Sequence, residues 1–510
     1  MEEIGHTTES KMVIDFLKDN RTIVFVCTIF WQIVCHGYRF TQLCFSHDSL
    51  MVVKNDYTWQ ISLGRFIQPV VEIARGDINA PFLIMCIAAM WLMLAVYFMI
   101  KLLNINDYFG IFAVSGLMTC NVTLTLVHAT YIAWSDLFAL ALFLAVYSVY
   151  NFEKHRSLAS VTGTLIALFL MLGIYQAYLG VVLGLVLIQT IRKSEYEDIK
   201  YVFKYILDWA IITVLSGLIY FIAWKMIVYL GNVTVQDTYN GLSNVKKVFT
   251  IEIIQNIKHI YQIIWNDLWN PKVYSVWTDN ICSFDIIKVL MRFINIGLII
   301  AMALYIAFKG HRRWLQIVSI ICFPMAIYVA GILSGGYIST LMKYSFALVY
   351  IMAIAVFKDK ARVMRRIIRG GVCFIIWNNI VFANQVYTEK GLQEQATLAL
   401  MTNMVTRIES MEGYQAGITP VAFAGSYEKS SNAKDIDGFE GIEGDGIGKS
   451  LITYESTLYE YLRYIINSDI NIVNDVNESD ECIISMPEYP SDGSIQYIGD
   501  IIVVKLSNFK

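Results

Sequence analysis

Apolar runs of about twenty residues recur along most of this chain, and they constrain the fold more than any other feature. A helix of about 20 residues crosses a hydrocarbon core of about 30 Å. Only helices or closed barrels satisfy their backbone hydrogen bonds in lipid, and these runs are far too long for barrel strands. With 56% hydrophobic and only 16% charged residues, the sequence predicts an all-α polytopic membrane bundle.

The hydropathy pattern predicts eleven transmembrane helices. The fifth and sixth come from one apolar run that is too long for a single crossing, and we divide it at Tyr175-Gln176. The predicted spans are 22–40, 81–100, 108–126, 130–150, 158–174, 176–191, 207–229, 293–308, 314–333, 341–357 and 367–386.

Lysine and arginine are distributed unevenly between the loops, and this asymmetry predicts the orientation. The short loops on the poorer side hold only Arg39, Lys54, Arg65, Arg75 and Lys343. Because cytoplasmic loops are enriched in Lys and Arg, the sequence predicts a plasma-membrane protein with its N-terminus in the cytoplasm. Eleven crossings then place the C-terminus outside.

The same pattern predicts two domains. Residues 1–386 form the transmembrane domain, with a first outer loop at 41–80 and a second at 231–292. Residues 387–510 are more polar and predict a small extracytoplasmic α/β domain. Its expected elements are a helix at about 389–411, a strand at 419–424, a helix near 453–467, and strands near 470–474 and 501–507.

The second outer loop contains an amphipathic segment. Between Val248 and Trp269, apolar residues recur at helical spacing, and Trp265 and Trp269 suit a membrane interface. The segment predicts either a helix lying on the bilayer surface or a helix packed against the bundle.

The first outer loop carries the leading candidates for chemistry, in the sequence Ser46-His47-Asp48-Ser49. A carboxylate at Asp48 can remove a proton from an acceptor hydroxyl, although an aspartate there could also cap the loop. Asp56 could bind a divalent metal with Asp48, orient a hydroxyl, or cap the helix that begins at Tyr57. His47 could assist Asp48 or be exposed, and Trp59 could stack on a sugar.

Two cations break the positive-inside trend and are candidate phosphate ligands. Arg65 lies in Leu63-Gly64-Arg65-Phe66, and Lys343 lies at the outer mouth of the tenth span. Arginine contacts phosphate in a bidentate manner. The alternative for both residues is a cation that extends to the interface and anchors the helix.

Polar residues within the spans complete the candidate set. Asp136 lies near the outer end of the fourth span, where a charge must face the bundle or a cavity. It could bind substrate or serve as a structural hydrogen-bond partner. Tyr175 and Gln176 could bind sugar hydroxyls or satisfy the backbone at the helix break. The sequence shows neither a nucleotide-binding glycine loop nor a nucleic-acid-binding patch.

The order of these motifs resembles the glucosyltransferase II family of bacterial and phage membrane proteins. The resemblance is carried by Ser46-His47-Asp48-Ser49, by Trp59, by Leu63-Gly64-Arg65-Phe66 with Pro69, and by Tyr175-Gln176. This family is similar to the GT-C class, which transfers sugar from a polyprenyl-phosphate sugar to a surface glycan. Where many members have paired acids, this chain has His47-Asp48.

The resemblance implies a GT-C-like bundle and an inverting hexosyltransferase with Asp48 as the base. The donor would be undecaprenyl-phosphate-glucose and the acceptor a cell-envelope polysaccharide such as O-antigen or teichoic acid. No cofactor is required by this reading, although a divalent metal would fit it, and a flippase and a donor synthase would be partners. The alternatives are a transporter or flippase of lipid-linked glycans, a glycan polymerase, and a sensor that uses the C-terminal domain.

Overall fold

The computed structural model describes residues 20–42, 45, 57–235, 252–269, 286–309, 312–357, 362–433, 455–473 and 480–508. The described chain is mostly helical and separates into two compact units. The first unit contains the helices up to Asn384, apart from 129–132. The second unit is formed mainly by Gln385–Lys510.

The helices of the first unit are numbered in chain order. They are α1 (Asn20–Thr41), α2 (Thr58–Ser62), α3 (Gln68–Ala74), α4 (Pro81–Leu103), α5 (Tyr108–Thr119), α6 (Val122–Thr130), α7 (Ser135–His155), α8 (Leu158–Ile174), α9 (Leu179–Tyr196), α10 (Ile199–Leu230), α11 (Glu252–Trp269), α12 (Ile286–Lys309), α13 (Arg313–Ile327), α14 (Val329–Leu333), α15 (Ala347–Phe357) and the first part of α16 (Arg362–Glu409).

An apolar helix lies at each of the eleven predicted spans. Seven helices in the described residues are long and apolar enough to cross a membrane, and the bent pair α5–α6 makes an eighth. The remaining three segments correspond to shorter apolar helices, Leu158–Ile174, Arg313–Ile327 and Tyr344–Phe357. Several apolar helices therefore fit a membrane protein, while eleven crossings and their orientation stay predictions.

Local sequence explains where these helices begin and end. Pro81 occupies the first turn of α4, where a missing N–H costs nothing, and Asn104 ends α4 in the left-handed conformation with a φ of 52°. Ser157 caps α8, because its side chain accepts a hydrogen bond from the Ser160 N–H. Helix α4 packs along α7, and α7 packs along α8.

The amphipathic segment of the second outer loop forms α11, which packs against α12, α13 and α14. Ile260, Ile264 and Leu268 are buried on its inner face, whereas Trp265 and Trp269 are exposed on the other. The helix packs against the bundle, and its position on a bilayer surface stays a prediction. The exposed tryptophans are still suited to a membrane interface.

One prediction about the last span is wrong in detail. The sequence pattern separated a span at 367–386 from an amphipathic helix at 389–411, but α16 runs without a break from Arg362 to Glu409. No proline or left-handed residue interrupts it, so the hydrogen-bond ladder continues while the burial pattern changes.

The second unit contains a four-stranded sheet. Its strands are β1 (Pro420–Ala424), β2 (Asn471–Ile472), β3 (Ile495–Ile498) and β4 (Ile501–Lys505), in the spatial order β2-β1-β4-β3. Strand β1 pairs in parallel with β2 and β4, and β3 pairs with β4 in antiparallel fashion. The helices α17 (Glu455–Glu460) and α18 (Glu481–Ser485) connect the strands, and α17 continues as a π-helix over Tyr461–Ile466. Helix α18 and strand β3 are not among the elements that the sequence predicts.

The core of the second unit joins the end of α16 to the sheet. It contains Met404 and Ile408 from the helix, Val421 from β1 and Ile502 from β4. Phe45, which follows α1 in the chain, belongs to the same core and is 7% exposed. Its backbone N–H donates to Glu394 Oε2 at 3.3 Å. Part of the segment predicted to be the first outer loop therefore belongs to the second unit.

Glu488 makes this second unit sensitive to acid. Its carboxylate accepts hydrogen bonds from the Ser431 hydroxyl at 2.6 Å and from the backbone N–H groups of Ser431 and Asn508 at 2.7 and 2.8 Å. These donors, led by the Ser431 hydroxyl, lower the pKa of Glu488 from 4.5 to about 2. A pKa that is lower in the folded state stabilises the fold above pH 4.5, and this stabilisation is lost as the pH falls towards 2.

We therefore expect Glu488→Gln to destabilise the second unit at pH 7 by about 1.5–3 kcal/mol, the usual value for hydrogen bonds to a charged group. Thermal unfolding of the full-length protein at pH 7, 5 and 3 would measure the effect. The variant should lose less stability than wild type on acidification. Glu481→Gln, at an exposed position of α18, is the matched control. An unchanged pH profile in Glu488→Gln would contradict the assignment.

Candidate functional site

Three of the predicted site residues lie outside the described part of the chain. These are Asp48, Asp56 and His47, all in the first outer loop. The structure resumes at Tyr57 and shows the second half of this loop, including Trp59, Arg65 and the two short helices α2 and α3. Trp59 is exposed.

The segment Leu63–Phe66 and the two residues after it lie against the break between α8 and α9, where hydrogen bonds hold them. Gly64 has a φ of 82°, which favours glycine, and it turns the chain between α2 and α3. The Ile67 N–H donates to Gly173 O at 3.0 Å, and Gln68 Nε2 donates to Ile174 O at 3.0 Å. These bonds satisfy carbonyl groups at the end of α8, where the helix has no partners of its own for them.

Helix α10 also forms hydrogen bonds to the backbone of this part of the loop. The Tyr220 hydroxyl donates to Gly64 O at 3.0 Å, and Trp224 Nε1 donates to Ile61 O at 2.7 Å. Gln176 Nε2 lies 3.1 Å from Leu63 O and 2.7 Å from the Tyr220 hydroxyl. Gln176 therefore contacts the backbone of the Leu63–Phe66 segment, and its predicted role in binding sugar hydroxyls stays a prediction.

Arg65 is brought against Tyr175 by this arrangement. Its guanidinium carbon lies 4.9 Å from the centroid of the Tyr175 ring, within cation–π range. Arg65 Nε is buried and has no hydrogen-bond partner among the described residues. The structure thus joins three predicted site residues, Arg65, Tyr175 and Gln176, at one end of the helical unit. The guanidinium therefore has an N–H group that could donate a hydrogen bond to a ligand oxygen.

Asp136 forms a buried ion pair with Arg75. Arg75 Nη1 lies 2.6 Å from Asp136 Oδ1, and Arg75 Nη2 donates to Ala133 O at 2.8 Å. The side chains are 4% and 1% exposed. Asp136 Oδ2 and Arg75 Nε have no partner in the described residues. One carboxylate oxygen is therefore committed to the arginine, and the other can accept one more donor.

Glu72 lies beside this pair and was missed by the sequence analysis. It is completely buried, and its Oε1 accepts a hydrogen bond from Trp134 Nε1 at 3.0 Å. Trp134 directly precedes α7, which carries Asp136, so Glu72 in α3 and Arg75, the residue that follows α3, both contact the start of α7. Nothing in the sequence pointed to Glu72, whereas Arg75 and Asp136 each stood out as a charge against the pattern around it.

Lys343 is paired with an acid from α11. Its Nζ lies 2.8 Å from Asp267 Oδ1, and the Tyr328 hydroxyl donates to Asp267 Oδ2 at 2.7 Å. Lys343 and Asp267 are 9% and 5% exposed. This pairing gives Lys343 a local counter-ion, a partner that the sequence analysis did not identify.

Metal-binding geometry is not found in the described residues, in which no group of three His, Cys, Asp or Glu side chains could hold an ion. Asp48 and Asp56 lie outside the described residues, so this statement does not extend to them. The described residues do contain two buried ion pairs, Arg75–Asp136 and Lys343–Asp267. In the first pair, Arg75 Nε and Asp136 Oδ2 have no partner among the described residues.

Comparison with known proteins gives one clear match. The family model described as glucosyl transferase GtrII matches residues 37–372, which is more than half of the chain. The matched region includes Asp48, the Leu63–Phe66 segment, Asp136 and Lys343, and it ends within α16. No curated protein and no solved structure matches the chain. The predicted resemblance is confirmed, and the chain belongs to the glucosyl transferase GtrII family of glycosyltransferases.

Proposed function

We propose that this membrane glycosyltransferase moves a hexose, glucose, from undecaprenyl-phosphate-hexose to a cell-envelope polysaccharide at the outer face of the bacterial plasma membrane. The observation that carries the proposal is Arg65, whose buried Nε is unpaired among the described residues and whose guanidinium lies over Tyr175. It lies at the end of the apolar helices, where a lipid phosphate would lie. A flippase and a donor synthase would supply the donor.

Asp48 is the proposed general base. In the proposed step, its carboxylate takes the proton of an acceptor hydroxyl while that oxygen attacks the anomeric carbon of the donor. The bond from the anomeric carbon to the phosphate oxygen breaks, and the lipid phosphate leaves with the electron pair. A single displacement of this GT-C type inverts the anomeric configuration.

Arg65 is the proposed ligand of the lipid phosphate. Its positive charge would stabilise the phosphate as negative charge builds during departure. Lys343 was predicted to share this role, but Asp267 neutralises it locally. We therefore assign the phosphate contact to Arg65 first, and we treat Lys343 as a residue that supports the outer end of the bundle.

Asp136, with its neighbour Arg75, is the proposed contact for a sugar hydroxyl. Asp136 Oδ2 can accept a hydrogen bond, and Arg75 fixes the orientation of the carboxylate through Oδ1. Trp59 is the proposed aromatic residue on which a sugar ring packs. A direct test is to give purified protein undecaprenyl-phosphate-glucose with an acceptor glycan and to measure the loss of lipid-linked glucose. No loss with any envelope glycan would overturn the proposal.

We expect Arg65→Ala to raise the KM for the lipid donor by about 10- to 100-fold, because a charge-assisted hydrogen bond contributes about 1.5–3 kcal/mol. The KM for the acceptor is the internal control and should change little. Arg65→Lys should also weaken donor binding, since an ammonium cannot reproduce the planar guanidinium contact. A donor KM that is unchanged in Arg65→Ala would leave Arg65 with only its packing role against Tyr175.

The proposed orientation places the second unit outside the cell. Cys482 is a free, exposed cysteine in that unit, so a membrane-impermeant maleimide should label it on intact spheroplasts. Cys44 and Cys282 lie in the two predicted outer loops and would be labelled too, so the test uses a variant in which Cys482 is the only cysteine. Labelling of this variant should disappear when Cys482→Ser is added. Labelling that requires permeabilisation would place this unit in the cytoplasm and make the number of crossings even.

A further inference from the structure

A cavity of about 450 Å³ lies at the C-terminal ends of α4, α7 and α9. Its volume falls in the range of small-molecule sites. The charged residues that line it are Lys101, Lys154, Arg192, Lys193, Glu153 and Glu197. All of them belong to helices of the first unit or follow them directly.

Positive charge exceeds negative charge in this cavity. Four cationic side chains face two carboxylates, which leaves two positive charges in excess. One carboxylate is already used, because Lys193 Nζ lies 2.9 Å from Glu153 Oε2. Glu197 is exposed at the end of α9. The cavity therefore favours an anionic ligand.

Two of the cations are held by aromatic rings. Lys101 Nζ lies 5.7 Å from the centroid of the Tyr97 ring, and Lys154 Nζ lies 5.6 Å from that of Tyr150. A ring face attracts the charge without accepting a conventional hydrogen bond. The ammonium N–H groups of both lysines can therefore donate to a ligand. Arg192 Nη1 donates to Leu102 O at the end of α4, at 3.3 Å, and this bond orients the guanidinium.

This cavity is separate from the candidate active site. Asp136 and Lys154 lie on the same continuous helix, α7, and eighteen residues at a rise of 1.5 Å separate them by about 27 Å. Arg65 and Tyr175 likewise lie at the N-terminal end of α9, whereas Arg192 lies in its last turns. The cavity therefore lies at the opposite end of the helices and cannot take part in the transfer step.

Helix dipoles explain part of this charge, since cations are stabilised at helix C-termini. Helix dipoles do not explain why cations from three different helices line the same cavity. We propose that the cavity binds the phosphate group of an anionic ligand at the membrane surface, with the headgroup of an anionic phospholipid as the principal source. Basic pockets between membrane helices bind such headgroups, and this role is independent of the proposed transfer reaction.

The test uses the full-length protein in detergent, depleted of lipid, with native mass spectrometry to count bound phosphatidylglycerol against phosphatidylcholine. The test variant is K101Q/K154Q, which removes two cavity lysines whose side chains form no ion pair in the described residues. The control is K200Q/K204Q, which removes the same charge from exposed positions of α10 that do not line the cavity. Inorganic phosphate is added as a competitor in a second arm.

We expect K101Q/K154Q to weaken phosphatidylglycerol binding by roughly 30-fold, since each juxtamembrane lysine contributes about fivefold, while the control stays near wild type. Resistance to inorganic phosphate would identify a lipid headgroup. Competition by millimolar phosphate, lost in the test variant, would identify a soluble phosphate ligand. Equal binding of phosphatidylglycerol and of phosphate in the test and control variants would overturn the proposal.

Discussion

Asp48→Asn is expected to lower the rate of sugar transfer by about 10²–10⁴-fold, the usual cost of losing a general base. Asparagine keeps the size of the side chain and most of its hydrogen bonds, but it cannot accept a proton as a carboxylate does. The variant should fold, enter the membrane and bind donor lipid. Rates measured with purified protein and undecaprenyl-phosphate-glucose, together with donor affinity and melting temperature, would separate these effects.

Asp56→Asn is the matched control for this prediction, because it makes the same change eight residues further along the same loop. If Asp56 caps the helix that follows, its replacement should cost about 1 kcal/mol of stability and little of the rate. Should purified Asp48→Asn transfer sugar within a few-fold of wild type, the proposed mechanism is wrong. Asp136, whose Oδ2 has no partner in the described residues, would then be the next acid to test.

Lys343→Met is expected to destabilise the first unit by about 3–5 kcal/mol, because it leaves Asp267 charged, buried and without its cation. The pair lies 2.8 Å apart between the outer mouth of the tenth predicted span and α11. Methionine keeps most of the length of the lysine stem, so lost packing contributes little. Unfolding of the purified protein in mixed micelles, followed by helical circular dichroism, would measure the change.

A double-mutant cycle distinguishes this role from phosphate binding. Adding Asp267→Leu to Lys343→Met removes the orphaned charge and should restore most of the lost stability, since an apolar pair often replaces a buried ion pair at little cost. If Lys343 instead contacts donor phosphate, Lys343→Met should weaken donor binding with little loss of stability, and Asp267→Leu should not rescue it.

The order of the apolar helices was readable from the sequence because it depends on local composition. A run of about twenty apolar residues predicts a helix wherever it lies, and each of the eleven predicted segments coincides with an apolar helix. The break at Tyr175-Gln176 was predicted from length alone, and the structure ends α8 at Ile174. The family was also recognisable, because its first-loop residues and their order are local features.

The partners of the charged residues were not readable in this way. Arg75 and Asp136 are separated by 61 positions, and Lys343 and Asp267 by 76. In each pair the sequence showed an unusual charge. The spacing of apolar residues every 3.6 positions identifies one face of one helix, but it does not show which helices pack together. Glu72 gave no signal at all, since its burial depends on the packing of Trp134.

Hydropathy and motif order by themselves identify the chain as a helical membrane protein of the glucosyl transferase GtrII family with a polar C-terminal part. Tertiary structure decided that Arg65 lies over Tyr175, that Asp136 and Lys343 have buried counter-ions, and that Phe45 joins the core of the second unit. The physical reason is that insertion into lipid depends on each segment's own transfer free energy. The pairing of buried charges depends on distances between segments, and only the folded chain fixes those distances.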